Sequence, residues 1–500
     1  MKKEIQNLKP WVRNSLLLIF VLTLAFRLYF AYQTPYFSDS EAYLNLRHIN
    51  SISEGNILFK DPLSFSGKTL NVIPVVQFLF VGFKVLFGDI IFKIIPEIFA
   101  CLLIFLVFFI AKRLSNNDLA SLFAAFSVAF MPLLFRTFFN NISQNGIFIL
   151  LVFYLFYCFI RLEEKSYFNQ FVFLIFLLPL INSYYFVILF IFIIYLLLIK
   201  SESLNLDKLK TEAIIFMILL GFLLSFVLFK KAWLSLGWNI FWQNTPTSLL
   251  SYYFTSVNIL GLIFSLGLIS LLFGVYGIYF GVLKKKNPEV LLFASICLTI
   301  LILSLLKLVR LDLGMMLFGI ALIILSSLGY ANLFEYLKIT KLGDNIKTIK
   351  IGLFVLLFLS SFIPSIIVVN STLKDTITDE QYNALLWLRN ESDRGGKTLS
   401  SYYEGNYISS IALWENALDD NFLYAKNTDK AFDELKEVYT TESLVKAREI
   451  VKKYDVRYIY ITNKTKELYG IEEVELTKDE SCFRRAWKEG ETEIYKFRNC

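Results

Sequence analysis

Long apolar runs alternate with short polar segments over the first 370 residues of the chain. An α-helix needs about twenty apolar residues to cross the hydrocarbon core of a bilayer, and most of the runs approach that length. The chain is therefore predicted to be an α-helical polytopic membrane protein. The runs predict about eleven transmembrane helices, at residues 14–32, 91–112, 117–135, 146–162, 168–181, 184–199, 212–229, 256–281, 289–307, 313–334 and 350–369.

One further apolar stretch fits this pattern less well. Residues 71–88 are apolar but include Pro74, Gln77 and Lys84. Charged side chains are costly inside the hydrocarbon core. The stretch is therefore also compatible with a segment that lies in the membrane interface.

The pattern changes at Asn370, where the long apolar runs stop and charged residues become frequent. A short helix is predicted after Asp379-Glu380, and a longer one over residues 431–453. The alternating, β-branched residues 456–461 predict a strand, and residues 493–497 predict another. The chain is thus divided into a transmembrane domain, residues 1–369, and a small α/β domain, residues 370–500, which is long enough for its own core.

Basic residues give the predicted orientation. Cytoplasmic loops of membrane proteins carry an excess of Lys and Arg, and the basic clusters fall on alternate loops when the N-terminus is cytoplasmic. Only Lys230-Lys231 departs from this rule. The chain is predicted to be an integral plasma-membrane protein whose C-terminal domain is extracytoplasmic, and the predicted outer loops are residues 33–90, 136–145 and 230–255.

Composition supports this class of protein and excludes others. The chain is 56% hydrophobic and only 18% charged, and its formal net charge is +7. The positive charge is explained by the cytoplasmic loops, so no nucleic-acid partner is predicted. Of the five cysteines, Cys482 and Cys500 lie in the outward tail, where they could form a disulfide or remain as two free thiols. No cysteine and histidine cluster predicts a structural zinc site.

The first outer loop carries the most informative polar residues. Asp39 and Glu41 follow the first apolar run almost at once, and Arg47 and His48, the only histidine, come shortly afterwards. Ionisable groups at a bilayer boundary are candidates for function. A carboxylate there can act as a general base while an acceptor attacks a glycosyl carbon. The alternative is a solvated loop that leaves the membrane.

A cation near the outer surface could complete such a site. Arg310, together with Lys307, is placed where a predicted helix approaches that surface, and a fixed cation suits the phosphate of a lipid carrier. The alternative is a side chain that snorkels to the lipid headgroups. A transporter also remains open, although the predicted spans carry few of the ionisable groups that a midplane binding site requires.

The order of these pieces resembles the catalytic subunit of oligosaccharyltransferase in its archaeal form, within the GT-C class of membrane glycosyltransferases. The resemblance covers nearly the whole chain. It rests on seven features in sequence order: Glu41-Ala42-Tyr43-Leu44-Asn45-Leu46-Arg47, the Pro-containing run Asn71–Gly88, Lys112-Arg113, Arg136-Thr137, Gln243-Asn244-Thr245-Pro246-Thr247, Val309-Arg310-Leu311, and Ser401–Ile408 followed by Asp420-Asn421.

The resemblance implies roles for individual residues. Glu41 and Asp39 would be catalytic, and Arg310 with Lys307 would bind the donor phosphate. The family's acceptor-binding positions fall on Tyr402, Tyr403, Glu404 and Gln243. Its metal-binding acids are largely replaced here, so Mg²⁺ or Mn²⁺ would be held only weakly. The degenerate metal positions are Glu41 with Ser143, Asn145 and Gln243.

The function implied is a glycosyltransferase. It would transfer a sugar or glycan from a polyprenyl-phosphate-linked donor to an extracytoplasmic protein or glycan. Membrane lipid would be a further partner. The replaced acids leave a second hypothesis open, a non-catalytic scaffold in surface glycosylation. A membrane transporter is the third.

Overall fold

The computed structural model describes residues 2–6, 8–65, 67–69, 74–255, 259–392, 395–498 and 500. The first residues of the Pro-containing run, 71–73, and the start of the predicted helix 256–281 therefore lie outside the described residues. The side chains of a few further residues are also not described.

Helices dominate the part of the chain that precedes residue 375. Long apolar runs form these helices because a backbone in lipid must satisfy its hydrogen bonds within its own segment. Among the described residues they are α1 (Lys2–Gln6), α2 (Pro10–Ala31), α3 (Ser40–Ser53), α4 (Val75–Phe87), α5 (Ile91–Ser115), α6 (Asp118–Ala129), α7 (Pro132–Phe138), α8 (Gln144–Ile160), α9 (Lys165–Ile181), α10 (Tyr185–Ser201), α11 (Lys208–Leu228), α12 (Lys230–Leu236), α13 (Thr247–Thr255), α14 (Ile259–Leu266), α15 (Leu268–Tyr279), α16 (Pro288–Leu305), α17 (Leu311–Ile339) and α18 (Ile346–Lys374).

Seven helical segments of the described chain are long and apolar enough to cross a membrane, or eight if the bent pair α6 and α7 forms one span. Four further apolar helices, α4, α8, α9 and α10, are shorter. The seven long segments are Pro10–Ala31, Ile91–Ser115, Lys208–Leu228, Leu268–Lys285, Pro288–Leu305, Leu311–Ile339 and Gly343–Asn390. The prediction of a helical membrane protein is confirmed.

Two of the predicted helices are interrupted. The predicted helix 117–135 bends by 41° between α6 and α7, where Pro132 cannot donate a backbone hydrogen bond. The predicted helix 256–281 is broken at Gly267, whose φ of +85° lies in the left-handed region that glycine adopts without a steric penalty. The hydrophobic pattern does not reveal either break, because the residues before and after each break are apolar.

The first outer loop is more ordered than predicted. Residues 40–53 form α3, and two short antiparallel strands, β1 (Lys60–Asp61) and β2 (Lys68–Thr69), follow it. Helix α3 lies against α4 and against the C-terminal part of the chain. The candidate acids Asp39 and Glu41 therefore stand at the beginning of a helix rather than in a loop.

The C-terminal part of the chain contains a four-stranded sheet with helices around it. The strand order is β3-β4-β6-β5, with β3 and β4 parallel and the other pairs antiparallel. The elements are α19 (Asp379–Asn390), β3 (Lys397–Leu399), α20 (Gly405–Tyr407), α21 (Thr428–Thr440), α22 (Leu444–Lys453), β4 (Val456–Ile461), α23 (Asn463–Tyr469), β5 (Phe483–Glu489) and β6 (Thr492–Phe497).

Several predictions for this region are confirmed and others are corrected. The strand over residues 456–461 is confirmed, and that over 493–497 is confirmed within one residue. The predicted helix 431–453 is two helices, because Ser443 caps a new helix with a hydrogen bond from the Lys446 amide. Thr378, rather than Asp379-Glu380, caps α19 and forms a reciprocal capping box with Gln381.

Of the two alternatives for Cys482 and Cys500, the structure has the disulfide. Cys482 is bonded to Cys500, so the bond joins the residue before β5 to the end of the chain after β6. The other three cysteines, Cys101, Cys158 and Cys297, are buried as free thiols, as their apolar surroundings predict.

Packing joins the C-terminal part to the first outer loop. One apolar cluster of the C-terminal part includes Tyr407, Ile408 and Trp414, and Tyr36 and Tyr43 of the first outer loop pack against it. The Tyr43 and Tyr407 rings meet at 5.3 Å between centroids. The sheet region is thereby held over the loop that carries the candidate acids.

Candidate functional site

The candidate acids are positioned by the first turn of α3. Asp39 is the N-cap residue, and its Oδ1 accepts a hydrogen bond from the Glu41 amide at 3.3 Å. Aspartate suits this position because it satisfies an amide that has no partner inside the helix. The Glu41 side chain follows in the first turn, where the helix dipole favours negative charge.

The second outer loop is hydrogen-bonded to the first. The Ser38 amide donates to the Asn140 carbonyl at 3.1 Å, and Asn45 Nδ2 donates to the Ile142 carbonyl at 2.7 Å. Asn141 Nδ2 approaches Asp39 Oδ2 at 3.5 Å. These contacts fix the direction of the Asp39 carboxylate from outside its own helix.

A buried ion pair supports this junction. The side chains of Arg27 and Glu97 are 2% and 0% exposed, and their charged groups are in contact. Glu97 Oε1 also accepts a hydrogen bond from the Asn140 amide at 2.6 Å, and the Arg27 guanidinium lies 4.5 Å from the centre of the Phe135 ring. The pair therefore connects α2 and α5 to the second outer loop.

A cavity of about 280 Å³ opens beside these loops. Its walls come from α3, the start of α4, the first turn of α8, the end of α9 with the residues before α10, the segment before α13, the start of α17 and the C-terminal part. Its polar and charged lining residues are Asp39, Glu41, Asn45, His48, Gln77, Gln144, Asn145, Asn182, Ser183, Tyr184, Gln243, Thr245, Arg310, Asn406, Asp420, Asn421 and Tyr424.

The cavity brings together five of the residues that the sequence singled out. Asp39, Glu41, Asn145, Gln243 and Arg310 all line it, although they are spread over about 270 residues of sequence. A carboxylate pair and a cation thus line one open cavity, in which the Arg310 side chain is 53% exposed. A base and a phosphate-binding group would require such a common space.

Five other predicted site residues do not line this cavity. They are Ser143, Lys307, Tyr402, Tyr403 and Glu404. Lys307 occupies an exposed left-handed turn before α17. The Lys464 ammonium lies over the Tyr403 ring, 3.9 Å from the ring centre.

Glu404 is enclosed by hydroxyl groups instead. It is 1% exposed, and its carboxylate accepts hydrogen bonds from Ser401 at 2.5 Å, Thr462 at 2.6 Å and Thr465 at 2.7 Å. Tyr402, 6% exposed, packs against Phe432 at 5.7 Å between ring centres. Tyr402 and Glu404 are thus both held inside the C-terminal part, and their acceptor-binding role stays a prediction.

Burial and neighbouring charge act on the candidate acids. Burial first and the Asp39 carboxylate second raise the pKa of Glu41 to about 8, whereas Arg310 lowers it. Ser143 Oγ, at a predicted metal position, lies 3.5 Å from Glu41 Oε2. Arg310 Nη2 donates to Asp312 Oδ2 at 2.9 Å. The Asp312 carboxylate therefore already balances part of the positive charge of Arg310.

Asp420 also lines the cavity, although the sequence pattern assigned it no role in the site. Burial and the carboxylates of Asp39 and Asp419 raise the pKa of Asp420 to about 7. Its neighbour Asp419 instead forms a buried ion pair with Lys68 and accepts a hydrogen bond from Ser64 at 2.7 Å. The Asp-Asn pair was a visible signal, but sequence does not tell which of two adjacent aspartates faces a cavity.

The donor groups present do not fit a preformed metal site. Among the residues that the structure describes, no three Asp, Glu, His or Cys side chains are grouped so that they could hold a metal ion. The amides at two expected ligand positions make hydrogen bonds within the chain, Asn145 through its oxygen and Gln243 through its nitrogen. Asn182 Nδ2 donates to Asn145 Oδ1 at 2.7 Å, and Gln243 Nε2 donates to Ser183 Oγ at 2.8 Å.

Comparison with known proteins identifies related folds. Residues 71–233, about a third of the chain, match the family model described as dolichyl-phosphate-mannose-protein mannosyltransferase. No curated protein matches the chain. Solved structures that match include the Archaeoglobus fulgidus oligosaccharyltransferase tethered to an acceptor peptide containing the NVT sequon, at a TM-score of 0.70 and 14% identity over 98% of this chain and 74% of that one.

Two further structures share the fold. Archaeal oligosaccharyltransferase AglB from Archaeoglobus fulgidus, in complex with an inhibitory peptide and a dolichol-phosphate, matches at a TM-score of 0.67 and 13% identity over 90% of this chain and 69% of that one. Arabinofuranosyltransferase AftD from Mycobacteria matches at 0.50 and 12% identity over 96% and 40%. The chain has the fold of the archaeal oligosaccharyltransferase, so the resemblance predicted from sequence is confirmed at the level of the fold.

Proposed function

We propose that this chain, with its oligosaccharyltransferase-like fold, transfers a sugar or glycan from a polyprenyl-phosphate-linked donor to an extracytoplasmic acceptor. The observation that carries the proposal is the cavity in which Asp39, Glu41 and Arg310 face one another. The related proteins' names support the class: one is a lipid-phosphate-dependent mannosyltransferase family, and one was solved with a dolichol-phosphate.

The proposed step is a substitution at the anomeric carbon. An acceptor hydroxyl or amide attacks that carbon, and its proton passes to the Asp39–Glu41 pair, one carboxylate acting as base and the other as orienter. A bond forms between the acceptor and the sugar. The bond from the anomeric carbon to the phosphate oxygen breaks, and its electrons leave on the lipid phosphate.

Arg310 stabilises the leaving phosphate in this mechanism. It stands at the N-cap of α17, where the helix dipole also favours an anion. Replacing Arg310 by Ala is expected to weaken the binding of polyprenyl phosphate at least tenfold, since a charge-assisted hydrogen bond to a phosphate is lost and Asp312 is left unpaired. Native mass spectrometry of the chain in lipid nanodiscs measures this affinity.

The matched control is Lys307→Ala, which removes one cation three residues away and outside the cavity. Its effect on binding is expected to be less than twofold. Equal affinity of the Arg310 variant and the unchanged protein would contradict the proposed role of Arg310.

Metal dependence provides a second test. Mg²⁺ and Mn²⁺ require several oxygen ligands, usually including more than one carboxylate, and Ser143, Asn145 and Gln243 offer only neutral groups. We propose that any divalent ion is held weakly, and we expect transfer to retain most of its rate after EDTA treatment. Loss of transfer with EDTA that added Mn²⁺ restores would contradict this expectation.

The topology belongs to the same proposal. Counting α6 with α7, α14 with α15, and the shorter α8, α9 and α10 as spans gives eleven crossings, with the N-terminus cytoplasmic and residues 370–500 outside. A cysteine introduced at Gly395 is expected to react with an impermeant maleimide added to intact cells, and one at Lys285 only after lysis. The opposite pattern would contradict the topology and the extracytoplasmic position of the acceptor.

A further inference from the structure

The wall of the cavity that comes from the C-terminal part contains a hydrogen-bond acceptor without a donor. Asn406 is 1% exposed and lines the cavity. Its Nδ2 donates to Asp420 Oδ1 at 2.7 Å and approaches Ser40 Oγ at 3.4 Å. Within the described chain, no group donates to its buried Oδ1. A buried carbonyl without a donor is destabilising, so this atom points to a ligand.

Asp420 presents a second acceptor beside it. The Asp420 carboxylate lines the same cavity and receives a hydrogen bond from Asn406 on one oxygen only. Asp419, the adjacent acid, is satisfied by Lys68 and Ser64 and lies away from this space. The wall therefore offers a carboxylate oxygen and an amide oxygen next to each other, and both can accept hydrogen bonds from O–H or N–H donors.

Neighbouring hydroxyls of a sugar match this pair. Each hydroxyl can donate one hydrogen bond and accept another. Tyr424 lines the cavity on the same wall, and an aromatic ring offers an apolar face to the carbon side of a sugar. Asn421, also on this wall, adds an amide that can both donate and accept.

A peptide acceptor fits this wall less well. Glu404 is the acid that the resemblance predicts at the acceptor-binding position. Its carboxylate already accepts hydrogen bonds from three hydroxyl groups of the chain itself. Tyr402 is buried against Phe432. The surface expected to receive a peptide is thus closed, whereas Asp420 and Asn406 remain directed at the cavity.

We infer that the acceptor is a carbohydrate, and that Asp420 and Asn406 bind two of its hydroxyls opposite Arg310. This inference rests on the proposed function, in which the phosphate of the donor binds at Arg310. The acceptor enters from the aqueous side, where the C-terminal part supplies the wall. The lipid-linked donor enters from the membrane, at the N-terminus of α17.

Saturation-transfer NMR on the full chain in nanodiscs tests the inference. The probes are methyl glycosides of mannose, galactose, glucose and arabinose, and a short peptide containing an Asn-x-Thr triplet. We expect at least one glycoside to bind and the peptide to give no signal. Asp420→Asn and Asn406→Leu are each expected to weaken glycoside binding about tenfold, as the loss of one hydrogen bond in a buried site predicts.

Asp433→Asn is the matched control, since it makes the same change on an exposed residue of the C-terminal part. Its glycoside affinity is expected to be unchanged. Thermal unfolding of each variant separates a binding effect from misfolding, and Asp420→Asn, being nearly isosteric, is expected to keep the fold if Asn406→Leu does not.

Three results would overturn the inference: no glycoside binding to the unchanged protein, glycoside binding that Asp420→Asn leaves intact, or peptide binding that this variant abolishes. Tight Mn²⁺ binding that requires Asp420 would overturn it as well, because the acceptor oxygens would then belong to a cation site. Polyprenyl phosphate binding to the same sample separates the two proposals. If the lipid binds and no glycoside does, the inference fails while the donor site stands.

Discussion

Replacing Asp39 by Asn and Glu41 by Gln together is expected to lower the rate of glycan transfer by about 100- to 10,000-fold, the usual contribution of a general base. Both changes are nearly isosteric. Asn caps a helix about as well as Asp, so α3 should begin at the same place. The expected loss therefore reports on the carboxylates rather than on the fold.

The measurement is the rate at which label leaves radiolabelled lipid-linked sugar in membranes that contain each variant. Glu54→Gln is the matched control, because Glu54 is the exposed residue that follows α3, and its rate should be unchanged. The transfer rates of the two single variants show how much each acid contributes to catalysis. An undiminished rate in the double variant would favour the second hypothesis, a non-catalytic scaffold.

Breaking the buried pair of Arg27 and Glu97 by removing one partner is expected to lower stability strongly. Glu97→Ala leaves the Arg27 guanidinium buried without its carboxylate, which costs about 3–5 kcal/mol in the free energy of unfolding. It also removes the acceptor of the Asn140 amide. Because Asn140 and Asn141 hold Ser38 and Asp39, transfer should decrease along with stability.

Unfolding in detergent micelles, followed by tryptophan fluorescence, measures this effect. The double variant Arg27→Met, Glu97→Leu should recover much of the stability, since apolar side chains can replace a buried ion pair. It should not recover transfer, because the bond to Asn140 is still missing. Glu335→Ala, an exposed acid on α17, serves as the control. A stable Glu97→Ala variant would show that the pair contributes little.

Hydropathy predicted most of the membrane helices because the energetic cost of burying polar groups in lipid dominates that part of the sequence. The breaks at Pro132 and Gly267 were harder to predict, since proline and glycine are also tolerated inside membrane helices. Strand β5 was missed because Phe483–Glu489 is exposed over much of its length and lacks a clear apolar alternation.

The site residues that could be predicted are those that stand out from their immediate sequence neighbours. Asp39 and Glu41 stand out beside an apolar run, and Arg310 stands out at the start of another. The contacts that position them are not local: Glu97 lies 70 residues from Arg27, and Thr462 lies 58 residues from Glu404. Single-sequence patterns contain no information about such pairs, so the burial of Glu404 and the position of Asp420 on the cavity wall emerge only from the fold.

The central claim is that a donor phosphate and two carboxylates meet in one cavity. Cryo-electron microscopy of the full chain in nanodiscs loaded with polyprenyl-phosphate-linked sugar tests it most directly. Phosphate density is expected within ion-pair distance of Arg310, and sugar density is expected against Asp39 and Glu41. Lipid-phosphate density bound at another surface, with the cavity empty at saturating donor, would contradict it.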